Sequence, residues 1–167
     1  MGMISRMIKF AAISIIVLFI ITTMISFLFP SKVIVSRAVN INAKPDSIIV
    51  LIKDMNAWKQ WIEGMDDPSV HIFSSTESEM GATKVVIDSI SNNTVRALWQ
   101  NKKGKWMVST IHLYTDTAKP VTVVQWAFEQ DVKWYPWEKF GSFMNDKILG
   151  PMMEKNLDHL RKLAEKN

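Results

Sequence analysis

The chain has 167 residues, no cysteine and a formal net charge of +4. Three of the 20 basic residues lie in the first 32 positions and all 16 acidic residues follow, so the remaining chain carries 17 basic and 16 acidic side chains. Near-neutral charge excludes the basic surface that nucleic-acid binding requires, and the absence of cysteine excludes disulfide and thiolate chemistry.

The first predicted element is a membrane-spanning helix, because Phe10–Phe29 contains no charged residue. A helix of this length spans about 30 Å, the thickness of the hydrocarbon core of a bilayer. The run is longer than the apolar part of a signal peptide and leads into bulky residues and Pro30 rather than a small-residue cleavage site. We therefore expect an uncleaved single-pass anchor, with a signal peptide or a buried core helix as the alternatives.

The basic residues around this helix bear on its orientation. Arg6 and Lys9 precede it, which favours a cytoplasmic amino terminus and a domain on the non-cytoplasmic side, although Lys32, Arg37 and Lys44 follow it closely. We predict two parts: residues 1–32 form the tail and transmembrane helix, and residues 33–167 form one domain, since 135 residues are enough for a single core.

The domain begins with a strand and two short helices. Val33–Ile41 alternates apolar and polar residues, except that Arg37 falls on the apolar face. Pro45 then favours the start of a helix, and Asn56 is the predicted N-cap of a second one that carries Trp58 and Trp61.

A run of strands separated by short turns follows, up to Gln130. The predicted strands are 70–74, 83–89, 94–100, 106–114 and 121–130. Connections this short imply antiparallel neighbours.

The last predicted element is a long amphipathic helix from Trp137 onward. Its first apolar stripe contains Phe140, Met144 and Ile148; its second contains Met153, Leu157, Leu160 and Ala164. Gly150 and Pro151 separate the two stripes and predict a kink. The predicted fold class is α+β, with a curved antiparallel sheet of about six strands wrapped on this helix and a cavity between them.

Several segments resemble the SRPBCC superfamily, the helix-grip proteins that include START, polyketide cyclase/dehydrase-like and birch-pollen-allergen-like members. The matching features are Val39-Asn40-Ile41, Ala43-Lys44-Pro45, the pair Trp58 and Trp61, the strand VTVVQWAF and the terminal MMEKNLDHLRKLAEK. The resemblance covers Val33–Lys166 and implies a cavity for an apolar or amphipathic small molecule, without implying one chemistry. We expect no cofactor. The stretch from Ser69 to Gly81 is short for the second and third of the family's seven strands.

The ligand-binding residues that we predict are apolar side chains expected on the inner faces of the sheet and the last helix. They are Trp61, Trp99, Met107, Trp126, Phe128, Met144 and Ile148. Ordinary core packing is the alternative for each of them, because large aromatic and thioether side chains also fill irregular interiors.

Catalytic candidates are few. The three histidines form no metal-ligand pattern, and the sequence has no phosphate-binding glycine loop and no nucleophile elbow. His112 and Tyr114 share a strand face and could transfer protons if that face lined the cavity. The alternative is the outer surface, because Met107, Ile111 and Leu113 make the opposite face more apolar.

An aromatic cluster precedes the last helix. Trp134, Tyr135 and Trp137 either fix the start of that helix by packing or lie at a membrane interface, where tryptophan and tyrosine are enriched.

Three hypotheses follow for the function. The first is a membrane-tethered module that holds a lipid or other apolar molecule. The second is a cyclase or dehydratase that uses His112 or Tyr114. The third is a protein-interaction module whose cavity is vestigial.

Overall fold

The computed structural model describes residues 2–102, 104–115 and 121–166. Its helices and strands follow in the order predicted, with one strand more. They are α1 (Gly2–Phe27), β1 (Lys32–Ile41), α2 (Pro45–Ile52), α3 (Met55–Trp58), β2 (Val70–Ser74), β3 (Glu77–Met80), β4 (Thr83–Ile90), β5 (Thr94–Gln100), β6 (Trp106–Thr115), β7 (Thr122–Asp131) and α4 (Pro136–Ala164). The α+β class is confirmed, with a curved antiparallel sheet and a long C-terminal helix.

The sheet has seven strands in the order β1-β7-β6-β5-β4-β3-β2, rather than about six. The additional strand is β3, whose sequence Glu-Ser-Glu-Met does not alternate apolar and polar residues. Its pairing with β4 runs from Glu77↔Val86 to Met80↔Thr83, and Gly81 turns the chain between them at a φ of 62°. A strand of four mostly polar residues forms here because its neighbours on both sides supply hydrogen-bond partners.

The chain divides into two compact units. One contains the chain up to Val33 together with Asp131–Met144; the other contains Ile34–Gln130 and the chain from Asn145 onward.

In the first unit, α1 is an apolar helix that is almost entirely exposed. Among the described residues, Arg6–Phe27 is the one helix long and apolar enough to cross a membrane. The Thr22 hydroxyl donates a hydrogen bond to the Leu18 carbonyl at 2.9 Å, which satisfies a polar group inside the apolar run.

In the second unit, the position of Arg37 on the apolar face of β1 has an explanation. Its Nη2 donates to Asp146 Oδ1 at 2.9 Å and its Nε donates to Glu154 Oε1 at 2.6 Å, both on α4. These bonds offset the free energy cost of placing a cation between sheet and helix. The Glu154 and Asp146 carboxylates also raise the pKa of Arg37.

One local prediction needs correction. The N-cap of α3 is Asp54, whose carboxylate accepts a hydrogen bond from the Asn56 backbone N–H at 2.9 Å, so Asn56 lies inside the helix. The last helix runs as one element through Pro151, as expected, and the kink at this proline stays a prediction.

Candidate functional site

Five aromatic rings meet in the interior of the second unit. We call them the aromatic core: Trp58 of α3, Trp61 just after it, Trp99 of β5, and Trp126 and Phe128 of β7. Neighbouring ring centroids lie 5.2–5.9 Å apart, and Trp61 meets Trp126 edge to face. Each side chain is at most 6% exposed. Rings from a helix, a turn and two strands therefore form one apolar cluster.

The indole N–H groups of this cluster differ in their hydrogen bonding. Trp58 donates to the Ile52 carbonyl at 2.9 Å and Trp61 donates to the Leu51 carbonyl at 3.0 Å. Trp99 donates to the Ser109 hydroxyl at 2.8 Å. Trp126, which is fully buried, has no acceptor among the residues that the structure describes. A buried donor without a partner costs about 1–3 kcal/mol.

A second buried donor belongs to α4. The Asn156 side chain is fully buried, and its Oδ1 accepts a hydrogen bond from the Glu63 backbone N–H at 3.0 Å. Its Nδ2 has no acceptor within the described parts of the chain. Glu63 lies two residues after Trp61, whose ring contacts that of Trp126. The Asn156 and Trp126 side chains therefore contact residues of the same turn.

An open pocket of 260 Å³ lies at this turn. It is lined by Lys59, Gln60, Trp61, Ile62, Glu63, Gly64, Asp66 and His159. At its rim, Lys155 Nζ donates to Glu63 Oε1 at 2.6 Å, and this bond lowers the pKa of Glu63. Charged, polar and apolar residues line the pocket. Trp61 belongs both to this lining and to the aromatic core, so the pocket adjoins the core at Trp61.

The predicted ligand-binding residues separate into two groups. The structure brings Trp61, Trp99, Trp126 and Phe128 into the aromatic core, and Met107 pairs with Trp99 across β5 and β6. On α4, in contrast, Met144 is 51% exposed and Ile148 is 65% exposed. Among the described side chains of α4, the buried apolar ones are those of the second stripe: Met153, Leu157, Leu160 and Ala164.

Sequence reasoning missed three members of this site. Trp58 is not among the predicted ligand-binding residues, although its spacing of three from Trp61 is the available signal. Asn156 lies among charged residues and gave no signal of burial. Ser109 gave none either, because a serine in a strand is ordinarily exposed.

His112 and Tyr114 lie on the face of β6 opposite the buried Ile111 and Leu113. The His112 Nδ1 shares a hydrogen bond of 2.9 Å with the Thr94 hydroxyl, and Tyr114 is 52% exposed. The two side chains therefore lie on the side of the sheet away from the aromatic core. A proton-transfer role in the cavity would require them to lie on the same side as the core. Among the described residues, no group of three His, Cys, Asp or Glu could hold a metal ion.

Comparison with known proteins gives a fold but no close relative. No family model matches the chain, and no curated protein matches it. Solved structures do match. A protein from Nitrosospira multiformis superposes with a TM-score of 0.60 at 10% identity, over 79% of this chain and 96% of its own.

Two further matches come from biosynthetic systems. The di-domain aromatase/cyclase StfQ of the steffimycin pathway gives a TM-score of 0.61 at 9% identity, over 81% of this chain and 51% of StfQ. DynU16, from the dynemicin biosynthetic locus, gives 0.55 at 13% identity, over 77% of this chain and 46% of DynU16. At these identities the likeness concerns the fold alone, so the chain has the helix-grip fold that these structures share.

Proposed function

We propose that this chain is an SRPBCC-type binding protein, tethered to a membrane by α1, that holds a lipid or other apolar molecule between its sheet and α4. Three observations support the proposal: the helix-grip fold, the length and composition of α1, and the aromatic core. In this proposal the anchor is single-pass and the domain lies on the non-cytoplasmic side.

The observation that carries the binding proposal is the indole N–H of Trp126, which has no acceptor within the described residues. Native interiors pair the great majority of their buried polar groups, and the other three indoles of the aromatic core follow that rule. A ligand that carries an oxygen acceptor next to an apolar body would satisfy Trp126 and contact the surrounding rings. The ligand class is therefore an apolar molecule with a carbonyl, carboxylate or hydroxyl group, such as a fatty acid or an aromatic polyketide.

The experiment is extraction of the full-length protein, purified in detergent, followed by mass spectrometry of the extract. We expect one compound of this class in stoichiometric amount. Trp126→Phe should reduce its occupancy, because the phenyl ring keeps the apolar contact and loses the donor.

Trp99→Phe is the matched control, since it removes a donor that Ser109 already accepts. Retained occupancy in this variant and lost occupancy in Trp126→Phe is the expected pattern. An empty protein that neither a fatty acid nor an aromatic polyketide stabilises against unfolding would contradict the proposal.

The interaction-module hypothesis remains a second candidate because the rings of the aromatic core contact one another. Rings in mutual contact occupy interior space that a ligand would otherwise fill. A stoichiometric protein partner together with a ligand-free extract would favour this candidate. The positions of His112 and Tyr114 do not support the enzymatic hypothesis.

A further inference from the structure

The length of α1 determines the depth at which its last turn would lie in a membrane. The apolar segment Arg6–Phe27 has 22 residues. At 1.5 Å per residue it is about 33 Å long, close to the hydrocarbon thickness of a bilayer. If α1 spans the membrane, Phe27 lies where hydrocarbon gives way to headgroups.

Trp134 is fixed to this end of α1. Its ring stacks on that of Phe27, with the planes 3° from parallel and the centroids 6.2 Å apart. The Ser26 hydroxyl donates a hydrogen bond to the Trp134 carbonyl at 2.6 Å. Two independent contacts therefore give Trp134 the same depth as the last turn of α1.

The stack continues along the chain. Trp134 lies 4.7 Å from Tyr135, and Tyr135 stacks on Trp137 at 5.0 Å with the planes 6° apart. We call Phe27, Trp134, Tyr135 and Trp137 the aromatic collar. Trp134 is 46% exposed and Trp137 is 63% exposed. If the collar served packing alone, these indoles would be covered.

Lys139 connects α4 to the segment that follows α1. It is 3% exposed, and its Nζ donates to the Phe29 carbonyl at 3.0 Å, the Pro30 carbonyl at 2.6 Å and the Ser31 hydroxyl at 3.2 Å. The last turn of α1 contains no basic residue of its own. Lys139 places a cation just beyond the carbonyl end of α1, where a helix favours positive charge, and donates to two carbonyls of the segment that follows the helix.

We propose that the aromatic collar lies in the headgroup region of the bilayer that α1 crosses, with phospholipid headgroups as its partner. The proposal rests on the membrane tether and is independent of ligand binding. Tryptophan and tyrosine favour this depth because one end of each ring system is apolar and the other forms hydrogen bonds. The exposed indoles, their attachment to the end of α1 and the hydrogen bonds of Lys139 all agree with this position.

The test measures tryptophan fluorescence of the full chain in phosphatidylcholine nanodiscs that contain lipids with a nitroxide on the headgroup. We expect strong quenching in the wild type and the loss of most of it in the double variant Trp134→Phe, Trp137→Phe. Trp106→Phe is the matched control, because Trp106 is an exposed tryptophan of β6 outside the collar. Unchanged quenching in the double variant would overturn the proposal, as would a co-purifying protein that shields the collar from the label.

A second variant separates this proposal from the tether itself. Phe19→Trp places a reporter near the middle of α1, and lipids with a nitroxide at the acyl-chain end should quench it. If that reporter is quenched while the collar is not, only the collar proposal fails. If the reporter is not quenched either, α1 does not span the bilayer, and the tether and the collar proposal fail together.

Discussion

The guanidinium of Arg37 lies directly against Gly150 of α4. A Cβ at position 150 would come within 2.9 Å of Arg37 Cζ, closer than real side chains approach. Asp146 and Glu154, one turn before and one turn after Gly150, hold the same guanidinium. Because Gly150 has no side chain, the guanidinium of Arg37 can lie against the surface of α4 between the Asp146 and Glu154 carboxylates.

Gly150→Ala should therefore stabilise the protein less than an alanine at an unobstructed position of the same helix. The added methyl group displaces Arg37 from at least one carboxylate, and an exposed ion pair of this kind contributes about 0.2–1 kcal/mol, which offsets much of the gain in helix propensity. Chemical unfolding in detergent micelles measures the change. Gly141→Ala is the control in the same helix, because a Cβ there meets nothing within 4 Å. It should stabilise by about 0.5–1 kcal/mol through helix propensity, and equal effects of the two variants would refute the account.

In the ligand-free protein, Trp126→Phe should cost less stability than Trp99→Phe. Both variants lose the same volume, but only Trp99→Phe breaks a buried hydrogen bond, the one to Ser109. Such a bond contributes about 0.5–1.5 kcal/mol, which sets the expected difference in the free energy of unfolding. Urea unfolding of both proteins after delipidation checks it. A larger loss for Trp126→Phe would mean that its N–H is already paired.

The Glu63–Lys155 pair predicts an acid dependence of stability. The hydrogen bond and charge of Lys155 hold the pKa of Glu63 below its usual 4.5. Because the folded pKa lies below the unfolded one, the pair stabilises the protein above the unfolded pKa and loses this effect as pH falls through the folded pKa. The melting temperature of the wild type should fall more than that of Glu63→Gln between about pH 5 and about pH 3. Glu79→Gln removes a charge from an exposed site and should leave the wild-type slope unchanged.

Lys139→Met should loosen the junction after α1. It removes the hydrogen bonds to the carbonyls of Phe29 and Pro30, and because Pro30 is exposed to solvent the cost is about 0.5–1.5 kcal/mol for each bond. We expect trypsin to cleave faster after Lys32 in this variant than in the wild type. Mass spectrometry of the fragments over time measures the cleavage rate. Lys133→Met, at an exposed position in the same unit, should leave the cleavage rate at the wild-type value. An equal rate in Lys139→Met would show that the junction does not depend on this ammonium group.

The sequence predicted the helices and strands that depend on the periodicity of apolar residues. It did not predict features that depend on contacts between distant parts of the chain. The alternation in β1, β4, β5, β6 and β7 and the apolar length of α1 were sufficient to place those elements. The strand β3 was missed because Glu77 and Glu79 become strand residues only through their pairing with β2 and β4. Arg37 had no explanation without the carboxylates of α4, which lie more than 100 positions away in the chain.

The candidate site was predictable in composition but not in arrangement. Alternation placed Trp99, Trp126 and Phe128 on inner faces, and the structure brings these rings together. The periodicity of α4 could not show which of its two stripes is buried, so Met144 and Ile148 were chosen although they are exposed. The Trp126 and Asn156 donors, which have no acceptor in the part of the chain that the structure describes, depend on the positions of individual atoms, which no sequence pattern encodes.

The most direct test of ligand binding is the NMR signal of the Trp126 indole N–H in the ¹⁵N-labelled full chain, assigned by its absence in Trp126→Phe. On addition of the bound compound, or of a fatty acid or aromatic polyketide as a probe, this signal should move downfield as the N–H gains an acceptor. The Trp99 signal, already hydrogen-bonded to Ser109, should move little. A Trp126 signal that stays in place with every probe, while the protein remains folded, would contradict a ligand in the aromatic core.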